Sequence, residues 1–380
     1  MAGIYIHVPF CKQACHYCNF HFSTSLAMKN DFTAALLKEI SLRADYLQGE
    51  AVETIYFGGG TPSLLSDGEI VAIMQAIHHY FNVAAAAEIT LEANPDDVDP
   101  EALARWKMAG VNRLSLGVQS FFGEDLLWMN RAHDDIQAER AVLDAQSMGL
   151  DNISIDLIYG LPGLTDDRWK MNISRAASLQ VPHLSCYALT VEPKTPLYKK
   201  IRLGAMPDIV QEDQARQFLY GIQWLEDSGY EQYEISNFAR PGKRSRHNSA
   251  YWQSKKYLGL GPSAHSFNGS TRQWNIANNA KYIQSLGQGE LNFESETLSA
   301  SDRLNEYIMT SLRTLEGLDL QLVATSFGTE KKDLLEKNAS RYIHAEQMIL
   351  ADEKLILTRK GKLFADGIAA GMFFEQPQRG

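Results

Sequence analysis

Cysteine is scarce in this chain: there are four in 380 residues, and three of them, Cys11, Cys15 and Cys18, crowd into one short stretch while Cys186 stands alone. That count excludes a disulfide-stapled scaffold and favours a metal site in a reducing compartment. Long apolar runs are missing as well. Nothing approaches the roughly 20 uninterrupted apolar residues that a membrane-crossing helix needs, and the opening Met-Ala-Gly-Ile-Tyr-Ile-His-Val-Pro-Phe shows no basic leader. A soluble, cytoplasmic chain is the expectation. Positive charge is also in deficit, with 36 Lys and Arg against 46 Asp and Glu, a net of −10. General affinity for nucleic acid or for an anionic membrane is therefore not expected. Low-complexity sequence is confined to the short alanine run at 84–87, and 45% hydrophobic residues leave ample material for one large domain with an appendage.

Apolar, β-branched-rich runs at 4–8, 54–57, 88–92, 113–118, 153–158 and 184–189 predict six strands. Between them, apolar residues at three-to-four spacing, such as Phe32-Leu36-Leu37-Ile40 and Ile70-Met74-Ile77, predict helices. This alternation implies right-handed parallel βαβ units. Six successive units suit a partial barrel better than a two-sided sheet, which the pattern alone leaves open; the expected fold is α/β, a partial (β/α)6 TIM-type barrel over 1–230, with ligands at the C-terminal strand ends. Residues 231–295 are expected to form a connecting segment packed on the barrel, and 296–380 a mostly helical, winged-helix-like domain. In that last part helices are predicted at 303–315, 318–327 and 332–350, then a hairpin around Leu355-Ile356-Leu357 with its turn near Lys360-Gly361. From residue 295 onward there are 11 basic and 13 acidic residues, which points to a packing or docking element and away from a DNA-binding one.

Cys11-x3-Cys15-x2-Cys18 directly follows the first predicted strand, so three thiolates sit on a loop at the barrel mouth. A structural zinc site would need a fourth ligand, for which His16 and His21 are nearest. A 4Fe-4S cluster on three thiolates keeps one iron open to an outside chelator. The polar flanks Lys12, Gln13, His16 and Asn19 argue against three merely buried cysteines.

The cysteine motif, with an aromatic at Tyr17, resembles the signature of the radical S-adenosylmethionine superfamily, and Gly58-Gly59-Gly60-Thr61-Pro62 resembles its glycine-rich motif. Tyr5-Ile6-His7-Val8-Pro9-Phe10, Gly117-Val118-Gln119-Ser120-Phe121 and Asp156-Leu157-Ile158-Tyr159-Gly160-Leu161-Pro162 narrow the likeness to the coproporphyrinogen dehydrogenase-like branch. The resemblance implies a 4Fe-4S cluster on Cys11, Cys15 and Cys18. It carries S-adenosylmethionine contacts onto Tyr5, Tyr17, Gly59, Gly60, Thr61, Glu92, Gln119, Arg131 and Asp156. The residue types suit the task, since acids and amides bind ribose hydroxyls and an ammonium, and a guanidinium pairs with a carboxylate.

Two departures weaken a coproporphyrinogen III oxidase reading: those enzymes resemble Cys-x3-Cys-x2-Cys-x-Cys, where this chain has Phe20 last, and they carry a longer segment before the first cysteine. His247-Asn248-Ser249-Ala250-Tyr251-Trp252 instead looks like the His-Asn-x-x-Tyr-Trp motif of the HemW-type haem chaperones. That likeness implies haem as cargo, respiratory haemoproteins as clients, a haem donor such as bacterioferritin, a homodimer, and transient contact with membrane proteins. Haem needs an axial ligand, aromatic walls and cations for its propionates. His247 and Asn248, then Tyr251 and Trp252, then Arg240, Lys243, Arg244 and Arg246 offer these, with His265 and Cys186 as weaker ligand candidates; the alternative is that His247 and Asn248 hydrogen-bond a loop, Tyr251 and Trp252 fill core, and the basic run is solvated. The alternative function is radical chemistry on a tetrapyrrole.

Overall fold

The structure, a computed structural model, describes residues 2–374. Strands apolar on both faces form its centre. β1 (Ala2–Val8), β2 (Val52–Gly59), β3 (Val83–Ala93), β4 (Arg113–Gln119), β5 (Ile153–Tyr159) and β6 (His183–Ala188) pair in parallel, each with the next. Burial on both faces is why these strands read as continuous apolar runs instead of alternating ones. In β1 and β5 the single half-buried position falls on Tyr5 and Asp156, both residues of functional interest.

The intervening helices are α1 (Lys29–Leu42), α2 (Asp67–Tyr80), α3 (Pro100–Met108), α4 (Gly123–Met129), α5 (Asp135–Ser147), α6 (Asp166–Ser178), α7 (Pro196–Arg202) and α8 (Gln211–Asp227). Reciprocal capping boxes, Ser66 with Glu69 and Asp134 with Gln137, fix the starts of α2 and α5. Trp169 of α6 is fully enclosed, and its indole Nε1 donates to the Gln217 carbonyl of α8 at 3.0 Å, locking the two helices together.

The segment 231–295 does not simply lie on the barrel. It is woven into both edges of the same sheet, which has twelve strands among the described residues. β7 (Glu231–Gln232) and β8 (Asn237–Ala239) continue the β6 edge in antiparallel fashion. After α9 (Arg246–Trp252), β9 (Lys256–Leu260) pairs in parallel with β1. Antiparallel β10 (His265–Phe267), β11 (Thr271–Asn275) and, after α10 (Asn279–Gly287), β12 (Phe293–Thr297) extend that side. Every residue of β12 is exposed, so no apolar alternation announces it.

A second core, around Leu304, Ile308, Leu318, Leu335 and Leu355, belongs to the last part of the chain. It is built from α11 (Ala300–Leu312), β13 (Leu318–Asp319), α12 (Leu320–Phe327), α13 (Thr329–His344), β14 (Met348–Ala351) and β15 (Lys354–Leu357), then α14 (Arg359–Lys362) and α15 (Ala365–Ala370). Three helices against the small sheet β13-β15-β14 make the winged-helix-like unit. Two sequence expectations are corrected here. The third helix stops at His344, leaving Leu350 to β14, and the hairpin turns at Asp352 and Glu353 while Lys360 and Gly361 fall in α14. Asp352 and Glu353 take φ of +49° and +59°, the left-handed pair of a tight hairpin turn, with no glycine to signal it. Replacing Asp352 by glycine should relieve part of that strain, without touching the Lys332–Glu353 pair, and stabilise the unit by about 0.5–1 kcal/mol, read as a rise in denaturant midpoint. Among the described residues no helix is long and apolar enough to cross a membrane.

Candidate functional site

A cleft of about 430 Å³ opens at the C-terminal ends of the parallel strands. Cys11, Cys15 and Cys18 line one end, Gly59, Gly60 and Thr61 follow from β2, and Glu92, Gln119 and Asp156 come from β3, β4 and β5. Tyr17 and Arg131 complete the wall. Eight of the nine nucleotide-contact residues expected from sequence therefore meet in one place. Tyr5 is the exception: its ring stacks on Tyr56 at 6.1 Å behind the glycine strand, and its hydroxyl contacts His7 Nδ1 at 3.2 Å.

The glycines are there because neighbouring atoms come too close for a Cβ, the His7 ring at Gly59 and the Val8–Phe10 backbone at Gly60. Gly59 adopts φ +105°, and a Cβ there would sit 2.5 Å from His7 Nδ1. At Gly60 a Cβ would sit 2.5 Å from the Phe10 carbonyl of the cysteine loop. Without those carbons the Gly60 N–H reaches the Val8 carbonyl at 2.9 Å, and the Gly59 N–H donates to Glu92 Oε2 at 3.2 Å. Gln119, at a register shift between β4 and β5, takes φ +65°, a strained setting for a residue other than glycine.

Two carboxylates face this cleft in unusual electrostatic states. Burial lifts Glu92 to about 7, and the neighbouring Asp156 adds to the shift, although Tyr56 donates to Glu92 Oε1 at 2.7 Å. Burial likewise lifts Asp156 to about 6, opposed by Ser185 and by the charges of Arg113 and Arg131. A cation arriving beside them favours the ionised form of both. Arg131 holds the opposite wall: Nη1 donates to Cys15 Sγ at 3.2 Å, and Nη2 donates to Asn94 Oδ1 at 2.6 Å and to the Gly117 carbonyl at 2.7 Å. Its Nε is buried without a partner.

The cysteine loop is pinned to the barrel by Cys11 N–H to the Ser23 carbonyl at 3.0 Å and His16 N–H to the Met129 carbonyl at 3.1 Å. All three thiols are free and half-buried. Burial pushes Cys11 up to about 11 and raises Cys18 as well, so metal binding here must release protons. Of the two candidates for a fourth zinc ligand, His16 has both ring nitrogens engaged and His21 has one. His16 is engaged at Nδ1 by the Trp128 carbonyl and at Nε2 by Lys200 Nζ, both at 2.8 Å, and His21 Nε2 by Asn279 Oδ1 at 2.7 Å. Among the described residues no three His, Cys, Asp or Glu side chains converge on a single ion. A donor set of three spaced thiols beside an open cleft fits a polynuclear iron–sulfur cluster better than one zinc ion.

The residues expected to hold haem are not presented together. His247 is only 3% exposed, with Nδ1 on Thr54 Oγ1 at 2.7 Å and Nε2 on the Tyr251 hydroxyl at 3.0 Å. Its ring, lowered to about 3 by burial, is a neutral core group with both nitrogens committed. The Asn248 N–H serves the cap of α9 through Ser245 Oγ. Tyr251 and Trp252 instead line a separate cavity with His265. The three arginines of the basic run are also engaged: Arg244 pairs with Glu231 and Glu316, each at 2.6 Å, Arg240 lies over the Tyr230 ring and Arg246 donates to the Ala86 carbonyl. Cys186 is buried in β6.

Asn94 belongs to the polar strand end Glu92-Ala93-Asn94-Pro95 where the sequence points to ligands, but its role is not assigned there: it positions Arg131 and donates to Thr61 Oγ1 at 3.3 Å. Sequence reading missed Arg113, 1% exposed, with Nε and Nη2 unpaired, whose charge lowers both carboxylates. A lone arginine opening an apolar strand gave no signal beyond its oddity in that place.

Residues 5–175 match the family model of the radical SAM superfamily, and 298–364 that of the HemN C-terminal domain. The chain is 34% identical to the heme chaperone HemW of Bacillus subtilis, covering 97% of this chain and 98% of that one. It is 33% identical to heme chaperone HemW of Escherichia coli, over 96% of each chain. Among solved structures, the coproporphyrinogen III oxidase HemN of Escherichia coli, described as a radical SAM enzyme, superposes with a TM-score of 0.85 at 26% identity, covering 98% of this chain and 90% of that one. The fold is thus that of the radical SAM proteins with a HemN-type C-terminal domain, and the chain belongs to the HemW family.

Proposed function

We propose that the protein is a haem chaperone, binding haem and passing it to haemoproteins, on a scaffold that carries a 4Fe-4S cluster and S-adenosylmethionine. The observation that carries this reading is identity of 33–34% with curated heme chaperones along nearly the whole of both chains. Cys11, Cys15 and Cys18 would hold the cluster, and Gly59, Gly60, Thr61, Glu92, Gln119, Arg131 and Asp156 the nucleotide. When both are bound, the cluster supplies the electron that can cleave the sulfonium C–S bond. The chain's own part is to bind and orient. The glycine strand end offers backbone polar groups at close range, Glu92 and Asp156 accept from ammonium and hydroxyl donors, and Arg131 faces the carboxylate while its Nη1 steadies Cys15.

A second reading, radical chemistry on a tetrapyrrole, draws on the close superposition with coproporphyrinogen III oxidase. Against it stands Phe20, 68% exposed, where the oxidase-like motif has a fourth cysteine. Anaerobically reconstituted protein should take up haem stoichiometrically, with a Soret shift, and leave coproporphyrinogen III unchanged. Turnover of coproporphyrinogen with release of deoxyadenosine would establish the enzyme reading in its place.

A further inference from the structure

Three cavities outside the nucleotide cleft meet at one side chain, His265 at the start of β10. The largest, about 420 Å³, is walled by Tyr5, His7, Phe20, His21, Tyr251 and Tyr257. A second, about 180 Å³, adds Trp252, Phe267 and Met309, with Lys255, Arg272 and the carboxylate of Glu306 at its border. A third, about 350 Å³, is lined by Trp274 and Phe293. Tyr251 and Tyr257 belong to both of the first two, their rings edge to face at 4.6 Å.

Among the histidines bordering these spaces, His265 alone is exposed with no hydrogen bond to its ring. His7 is engaged at Nδ1 by the Tyr5 hydroxyl and at Nε2 by the His21 carbonyl, and His21 Nε2 by Asn279. The contact made by the His265 ring is a tilted one with Trp274 at 6.1 Å. Partial burial and the nearby Arg272 charge hold this imidazole below its ordinary value, so at neutral pH it carries a free lone pair. Arg272 pairs with Glu306 at 2.9 Å and keeps a buried Nε without a partner.

We infer that haem is seated across these adjoining cavities, with His265 as its axial ligand, Tyr251, Tyr257 and Trp252 against the macrocycle, and Lys255 and Arg272 toward the propionates. This rests on the haem-chaperone reading and gives it a place. Aromatic walls with one unengaged imidazole and cations on one border are the chemistry that a dianionic iron macrocycle requires. The site abuts the cluster loop: Phe20 lines both the largest cavity and the nucleotide cleft. The Tyr-Trp half of the motif singled out in the sequence thus serves the cargo, while His247 holds α9 to β2 from within.

The test is titration of full-length protein with ferric haem. His265→Ala, at an exposed position, should keep the wild-type melting temperature, lose at least tenfold in affinity and shift the Soret band to that of a differently ligated iron. Added imidazole should restore the band. His247→Gln, where it remains folded, should leave both affinity and band position unchanged. A His265→Ala protein with the wild-type band and affinity overturns the ligand assignment while leaving haem binding intact, and so does a loss that imidazole fails to restore in a folded variant. Absence of haem uptake by the wild type overturns the chaperone reading and the site with it.

Discussion

Replacing Cys15 by serine should reduce the iron and acid-labile sulfide of the reconstituted protein to below about a tenth of wild type, because a cubane with three protein thiolates does not survive on two. The serine is close to isosteric, and Cys15 is half-buried on a loop fixed by backbone bonds at Cys11 and His16, so secondary structure and melting temperature of the metal-free protein should stay as they were. Arg131 would lose the sulfur it now meets at 3.2 Å while keeping Asn94 and Gly117. Cys186→Ser is the matched control. That thiol is buried in β6 away from the cleft lining, and its loss should leave the iron content at the wild-type level. Full iron and sulfide in the Cys15 variant would show that the donor set has been misassigned, whatever the fold.

What could be read from the sequence follows from where burial is two-sided. The six central strands announce themselves because side chains on both faces are excluded from water, leaving unbroken apolar runs with turn residues between them. The sites at their ends were legible for a different reason. Gly59 is demanded by its positive φ and the His7 ring, Gly60 by the Phe10 and Val8 backbone, and Glu92 and Asp156 are acids stranded in apolar company, so both kinds of residue stand out against their surroundings. Illegible were the features fixed by partners distant in the chain. β9 is five residues long with a glycine in it, and it is a strand because β1 presents an open edge. The exposed strand β12 and the glycine-free turn at Asp352 and Glu353 carry no pattern of their own. His247 shows the same limit in a candidate ligand: a histidine beside Asn, Tyr and Trp is compatible with a ligand or a core group in one dimension, and the fold reveals that Thr54, 193 positions away, already holds it.

Glu92 should separate stability from binding. In the nucleotide-free protein its carboxyl titrates near 7 against an ordinary 4.5, so between those two pH values the native state binds the extra proton. Stability contributed by this group is complete below about 4.5, declines as pH rises, and is gone above about 7. Glu92→Gln removes the buried charge while keeping an acceptor for the Gly59 N–H and a partner for the Tyr56 hydroxyl. At pH 8 the variant should therefore be more stable than wild type, on the order of 3 kcal/mol, which for a chain of this size is about 4 °C in melting temperature. At acid pH, where both side chains are neutral, the difference should vanish. Affinity for S-adenosylmethionine should move the other way, falling ten- to a hundredfold at pH 8, because a bond from a cationic or hydroxyl donor to a carboxylate is replaced by one to an amide. Calorimetric titration and thermal melts across this pH range supply both readouts. A variant that loses stability at pH 8, or that binds the nucleotide as well as wild type, would show that Glu92 is a structural acid and that the charge balance of the cleft lies elsewhere.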